Sequence, residues 1–231
     1  MTITHAPTFL LAGTAHRLMR GRRSIRRYRP DPIGREVLDR LFLTAAAAPS
    51  AHNRQPWRYL VIEDAAPKAA LARAMGERLA ADRARDADPP DAIARDVARS
   101  HARITGAPVV ILVCLTLEEA DVYPDEGRSR AEFLMAVQST AMATQNLLLA
   151  AHAEGLAACW MCAPLFCPEV VRASLDLPVA WHPQGLVTLG LPADAGRDRP
   201  RKALTAIVRY MATTNDQMLG LAASRLPGAC R

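Results

Sequence analysis

Aromatic residues are scarce, at 5% of the 231 residues, although half of the chain is hydrophobic. The core must therefore be aliphatic and rich in alanine, which suits closely packed helices. Lysine is almost missing. Only Lys68 and Lys202 occur, so the 29 Lys+Arg set against 23 Asp+Glu, a net charge of +6, are nearly all arginine. These cations alternate with acids, as in Asp82-Arg83-Ala84-Arg85-Asp86. No basic stripe is interleaved with aromatics, which argues against nucleic-acid binding and still allows a local basic pocket for a small anion. The opening MTITHAPTFLLAGTAHRLMRG has an apolar run too short and too interrupted to export or anchor a chain, so no membrane association is expected. Five cysteines, an odd number, fit free thiols in a reducing cytoplasm. A glycine-rich phosphate loop, an HExxH and a GxSxG are all absent, which leaves hydrolase and nucleoside-triphosphatase functions without support.

What is present reads as a single domain over 1–231, with its core at about 21–210 and no internal repeat or low-complexity linker. Residues 9–20 read as a helix. Pro30-Asp31-Pro32 is a rigid turn, and a helix starts at Ile33 with Val37, Leu38, Leu41 and Phe42 at helical spacing, ended by Pro49. Tyr59–Ile62 is a strand. Residues 67–84 and 91–105 form two charged, peripheral helices parted by Asp88-Pro89-Pro90. Pro108–Leu115 is an unbroken apolar run, the mark of a strand covered on both faces. Residues 129–153 make the longest helix, with small and apolar residues almost all round. It is expected to be central or to form a subunit interface, and Gly155 is expected to cap it in the left-handed conformation. Ala157–Met161 is a short strand, Pro168–Leu175 a helix and Gln184–Gly190 a strand. The chain beyond Tyr210 is expected to pack on a partner subunit or to be disordered.

Two stretches carry chemistry. Arg22-Arg23-Ser24-Ile25-Arg26-Arg27-Tyr28 packs guanidinium forks and a hydroxyl into a few residues, which suits a phosphate. In an extended segment Arg22, Ser24 and Arg26 point to one side and Arg23 and Arg27 to the other. The second stretch is Ala48-Pro49-Ser50-Ala51-His52-Asn53-Arg54-Gln55-Pro56-Trp57. There Asn53 and Gln55 carry donors and acceptors able to read the edge of a flat polar ring system. Together they suggest a nucleotide-like cofactor. Each has a plainer reading: the first as a solvated basic turn, Ser50 and Asn53 as turn formers, and Trp57 as a core residue. His52 is a candidate proton donor or an ordinary hydrogen-bonding residue. Arg197–Lys202 either adds cations to the same phosphate or is a solvated loop. Cys159-Trp160-Met161-Cys162, with Cys167 nearby, raises a redox pair or a metal site. Residues three apart at a strand end face opposite sides, so small buried hydrophobes are the better account and no metal is expected.

These motifs, with GLAACWMCAP, GLVTLGLP and RPRK further on, resemble the FMN-dependent nitroreductase family from about Gly21 to about Tyr210. The resemblance implies an α+β fold with a central, mostly antiparallel sheet flanked by helices and a long buried helix. It also implies an intertwined homodimer with FMN sites at the subunit interface. By motif position, Arg22, Arg23, Ser24 and Arg26 match phosphate and flavin-edge contacts. Pro49, Ser50, Asn53 and Gln55 match the segment that reaches the flavin, partly from the other subunit. Met161, Cys162 and Ala163 match the backbone beside the isoalloxazine, and Arg201 and Lys202 match late phosphate-side cations. The chemistry is then carried by the FMN ring and by no protein side chain. Many family members have an acid where this chain has Cys162-Ala163-Pro164. The segments ADPPDAIARDVARSHARI and FCPEVVRASLDLPVAWHPQGLVTLG look like the C-terminal flavin domain of the bifunctional coenzyme F-420 gamma-glutamyl ligase. That likeness implies hydride transfer from reduced FMN to dehydro-F-420-0 in coenzyme F-420 biosynthesis, a deazaflavin substrate. The alternatives are an NAD(P)H-dependent nitro or quinone reductase, conversion of the flavin to dimethylbenzimidazole, and a flavin or deazaflavin binding protein without turnover.

Overall fold

The computed structural model describes residues 12–211. The chain forms two units, one running to Arg197 and one from Asp198 onward. In the second, residues 198–211 are exposed and hold a single turn of 3-10 helix at Leu204–Ala206.

At the centre of the first unit is a four-stranded antiparallel sheet of β1 (Trp57–Ile62), β2 (Val109–Leu115), β3 (Ala157–Met161) and β4 (His182–Gly190), in the order β1-β2-β4-β3. Every residue of β2 is buried. Alternation explains why: Val109, Ile111 and Val113 face one layer of helices, Val110, Leu112 and Cys114 the other. The first layer holds α2 (Arg35–Ala46) and α5 (Glu126–Ala153), which bring Leu38, Leu41, Ala45, Leu147 and Ala151 to the sheet. The second holds α3 (Ala65–Arg85), α4 (Pro90–Thr105) and α6 (Pro168–Ser174), with Leu71, Met75, Ile104 and Val171. Each fully buried leucine or isoleucine in these layers contributes roughly 1.5–3 kcal/mol. The described part of the first helix, α1, covers Ala12–Gly21, and residues 9–11 of the expected helix lie outside the described residues.

The α+β architecture and the flanked antiparallel sheet are as the sequence predicts, with ends that shift. β1 begins at Trp57, two residues early, and Trp57 is a core residue. β4 begins at His182, and α5 begins at Glu126 because Asp125 caps it by accepting from Arg128 N at 2.9 Å. Gly155 takes φ +74 at the end of α5, the left-handed cap its position predicts. The long helix buries Ala136, Ser139, Ala143 and Leu147, whereas Phe133, Leu134 and Met142 remain exposed. One expectation fails: Cys162 is exposed rather than buried, because β3 ends at Met161 and the chain leaves the sheet. Cys159 and Cys167 are buried as expected. Among the described residues no helix is long and apolar enough to cross a membrane. No group of three His, Cys, Asp or Glu among them is placed to hold a metal ion.

Candidate functional site

The arginine-rich segment leaves α1 and runs along the free edge of β3. Ser24 forms a parallel bridge to Ala158, and Ile25 N donates to Ala158 O at 3.2 Å. Further on, Arg29 N donates to Leu191 O at 2.9 Å and Ala193 N donates to Arg27 O at 3.1 Å, so the segment also borders the chain leaving β4. The Tyr28 hydroxyl holds it down, 2.8 Å from Ile25 O, 3.0 Å from Thr188 O and 2.7 Å from Thr188 Oγ1. Burial pushes this phenol well above its usual range, so it stays protonated. Gly190 permits the fit, since a Cβ there would lie 2.7 Å from Pro108 Cδ and 3.0 Å from Tyr28 Cβ.

The cations of this segment act on different partners. Burial pushes the Cys159 thiol up, while the guanidinium groups of Arg26, Arg103 and Arg22 all pull it back, Arg26 also by hydrogen bonding. The charges of three guanidiniums are thus felt at one buried sulfur. Arg23 turns the other way and donates to the α1 carbonyl of Arg20 at 2.6 Å, and Arg27 approaches Asp194 at 3.9 Å. Sequence reading missed Arg103, which sits in the last turn of α4, a helix taken as peripheral. The available signal was a cation just before the buried β2 strand. Burial pushes its guanidinium down, and the charges of Arg26 and Arg99 push it the same way. Among the described residues no carboxylate forms an ion pair with Arg22, Arg26 or Arg103. Like charges held together without an anion are unfavourable, and a phosphate would relieve them.

Met161, Cys162 and Ala163 lie on the same edge, where β3 ends and a 3-10 turn over Ala163–Phe166 begins. Three residues separate Ala158 from Met161, about 10 Å along the strand. The structure therefore brings Arg22, Ser24, Arg26 and the Met161–Ala163 backbone to one side. Cations of the kind that bind a phosphate thus share this edge with the backbone where β3 ends.

The loop of Pro49, Ser50, Asn53 and Gln55 is elsewhere. It feeds β1, the opposite edge strand, at the far end of the register: Ala158 pairs with Leu189 and Leu189 with Val109, while Trp57 pairs with Leu115. Four strand steps of about 4.8 Å and six residues of about 3.3 Å give a diagonal near 28 Å between Ser24 and Trp57. Within one chain the two stretches therefore lie far apart. The loop is firmly built. Ser50 Oγ accepts from Gln55 N at 3.0 Å, and His52, Asn53 and Gln55 take φ of 52, 55 and 50, the left-handed region. The Asn53 and Gln55 side chains are exposed and 3.4 Å apart, the Gln55 amide donating to Asn53 Oδ1. Arg201 and Lys202 lie in the second unit, exposed, with Arg201 Nη1 donating to Arg199 O at 3.2 Å.

Known proteins share this plan. The chain is 33% identical over 213 residues to the NADH dehydrogenase of Thermus thermophilus, covering 82% of this chain and 92% of that protein. It is 32% identical to the 5,6-dimethylbenzimidazole synthase of Rhodospirillum rubrum, covering 77% and 81%. A Desulfovibrio desulfuricans protein described as a nitroreductase and solved in complex with FMN superposes with a TM-score of 0.64 at 25% identity, over 90% of this chain and 99% of that one. The nitroreductase family model matches residues 19–191, which span the arginine segment, the 49–55 loop and all four strands, and the chain belongs to that family.

Proposed function

We propose that this chain is an FMN-dependent oxidoreductase that works as a homodimer in the cytoplasm. The observation that carries the reading is the arginine segment seated along the free edge of β3, with Ser24 bridged to Ala158 and Ile25 N donating to Ala158 O, and with no carboxylate ion-paired to Arg22, Arg26 or Arg103 among the described residues. These side chains would hold the phosphate, with the Ser24 hydroxyl adding a donor. Arg201 and Lys202 are proposed as further phosphate-side cations. The backbone of Met161–Ala163 would flank the ring. FMN supplies the two-electron chemistry, accepting and passing on hydride at its ring. The protein's share is to bind, orient and exclude water, and to stabilise negative charge on the reduced ring with fixed cations such as Arg26.

The dimer rests on the separation of the two edges. Asn53 and Gln55 of one copy would read the polar ring edge of the flavin held on the other copy's β3 edge. Exposed Phe133, Leu134 and Met142 on α5 supply apolar surface for such a pairing. The substrate reading is dehydro-F-420-0, reduced at an enoyl double bond conjugated to a carboxylate. It is supported by the F-420 ligase likeness of the 87–104 and 166–190 segments and by the net charge of +6, which suits an anionic substrate. Anaerobic incubation of dehydro-F-420-0 with chemically reduced FMN and the protein tests it. Product above the protein-free control is expected, and none would remove this substrate. A second reading, NAD(P)H oxidation coupled to a nitro or quinone acceptor, is favoured by the 33% identity to an NADH dehydrogenase. Rapid NADPH-dependent reduction of a nitrofuran would select it. Formation of dimethylbenzimidazole from reduced FMN in air would select the activity named for the Rhodospirillum relative.

A further inference from the structure

Among the described residues, five non-glycine positions have a left-handed φ, and His52, Asn53 and Gln55 in the 49–55 loop are three of them. Such backbone persists only where its surroundings over-determine it. Here α5 supplies two attachments. Ser139 Oγ accepts from Ala51 N at 3.3 Å and itself donates to Met135 O at 2.7 Å. Between the left-handed Asn53 and Gln55, the Arg54 guanidinium forks, with Nη1 2.6 Å from Glu132 Oε2 and Nη2 2.7 Å from Asp121 Oδ2. The Glu132 side chain is 7% exposed and that of Arg54 17%, whereas Asp121 is 55% exposed. The outer pair, largely in water, holds little by itself. The inner pair is nearly dry, and a carboxylate is costly to bury there for stability alone, since apolar side chains of similar size often serve as well.

We propose that Glu132 and Arg54 are a positioning pair, which fixes the strained 52–55 backbone to α5 and so sets the direction in which the Asn53 and Gln55 amides project. Arg54 lies between these two exposed residues. Its attachment therefore bears on both amides, while its own side chain points inward to Glu132. The inference rests on the proposed flavin reading for its consequence, and on the loop geometry alone for its mechanism. It adds two residues to the site that touch no ligand and act through their neighbours.

The test replaces both partners by apolar residues of similar reach, Arg54→Met with Glu132→Met, in the full-length chain. Three quantities are measured: melting temperature, amide hydrogen exchange over 51–55 in the flavin-free protein, and FMN affinity by flavin fluorescence. A positioning pair predicts an almost unchanged melting temperature and exchange faster by about tenfold or more, confined to 51–55. It also predicts an FMN Kd raised about tenfold. Unchanged exchange and Kd in the folded double variant would overturn the proposal. If the double variant fails to fold, Glu132→Gln keeps the shape and an accepting oxygen. Loop-confined faster exchange in that variant supports the proposal, and unchanged exchange or a rise spread along α5 overturns it. Should the unaltered protein not bind FMN, the flavin reading fails, and the exchange measurement, which needs no flavin, still judges the pair.

Discussion

The two edges of the sheet solve opposite problems. Along β3, charge is gathered: the charges of Arg22, Arg26 and Arg103 all act on the buried Cys159 thiol, Arg26 also acts against Arg103, and the segment runs beside β3 through the Ser24–Ala158 bridge. Ahead of β1, charge is neutralised and strain is gathered: Arg54 is matched by Glu132 and Asp121, while three residues hold left-handed conformations so that two neutral amides project. An edge that stores unbalanced charge is waiting for an anion. An edge that stores backbone strain is waiting for shape. Standing about 28 Å apart by strand geometry, they lie at different places in one chain.

The largest effect expected from breaking this contrast is on the charged edge. Arg22→Ala with Arg26→Ala removes two charge-assisted contacts, each worth about 1.5–3 kcal/mol, so FMN affinity falls by about 100-fold or more. The purified protein then loses its flavin absorbance while its circular dichroism is kept. Flavin retained at wild-type levels in the folded variant would end the phosphate reading.

Next comes a test of which halves work together. One chain carries Arg22→Ala and Arg26→Ala, the other Asn53→Ala and Gln55→Ala, and the two are co-expressed and purified as a mixed dimer. If each flavin is held by one copy's arginine edge and the other copy's loop, the mixed dimer has one intact site and one doubly damaged site. Half of the wild-type flavin is expected. If each site belongs to a single chain, every site carries one defect and tight binding disappears.

That experiment probes the point at which the sequence was least informative. The sheet and its layers were legible because β2 is a continuous apolar run and the helices around it carry apolar residues at helical spacing. The arginine segment was legible because a run of guanidiniums stands out in sequence, and the charges of Arg22 and Arg26 both act on Cys159. Two things were hidden. The two motifs suggest one nucleotide-like cofactor, yet the strand order sends them to opposite edges of one chain. Arg103 resembled the many solvated arginines of α3 and α4, and only folding brings its charge within range of Arg26 and Cys159. Cys162 differs from Cys159 for a reason no composition reveals, the end of a strand between them.

Arg103 sharpens the contrast through the sign of its effect. A side chain kept for stability destabilises the protein when removed. Arg103→Met instead removes a partly buried cation whose burial and like-charged neighbours Arg26 and Arg99 outweigh the pull of Cys159 and Asp96, so the flavin-free protein should melt no lower than the wild type. FMN affinity should fall by about tenfold, one charge-assisted contact. Differential scanning fluorimetry with and without FMN reads both signs together. A lower melting temperature without flavin, or an unchanged affinity, would return Arg103 to the ordinary surface arginines.

The smallest effects compare what holds each edge in place. Tyr28 fastens the arginine segment through a hydroxyl near Ile25 O, Thr188 O and Thr188 Oγ1, in a place where burial keeps the phenol protonated. Tyr28→Phe leaves Ile25 O without that partner in a partly buried setting, a cost of about 1–2 kcal/mol. On the other edge, Ser50 Oγ accepts from Gln55 N in an exposed loop. Ser50→Ala hands that N–H to water, so its cost is about 0.5 kcal/mol. Urea unfolding of the two variants should therefore rank Tyr28→Phe well below Ser50→Ala in stability. Flavin affinity should fall in both, because each change loosens one half of the site. Equal stability losses would mean that the β1-side loop is held by its hydroxyl rather than by its attachment to α5, and the division of labour between the edges would have to be redrawn.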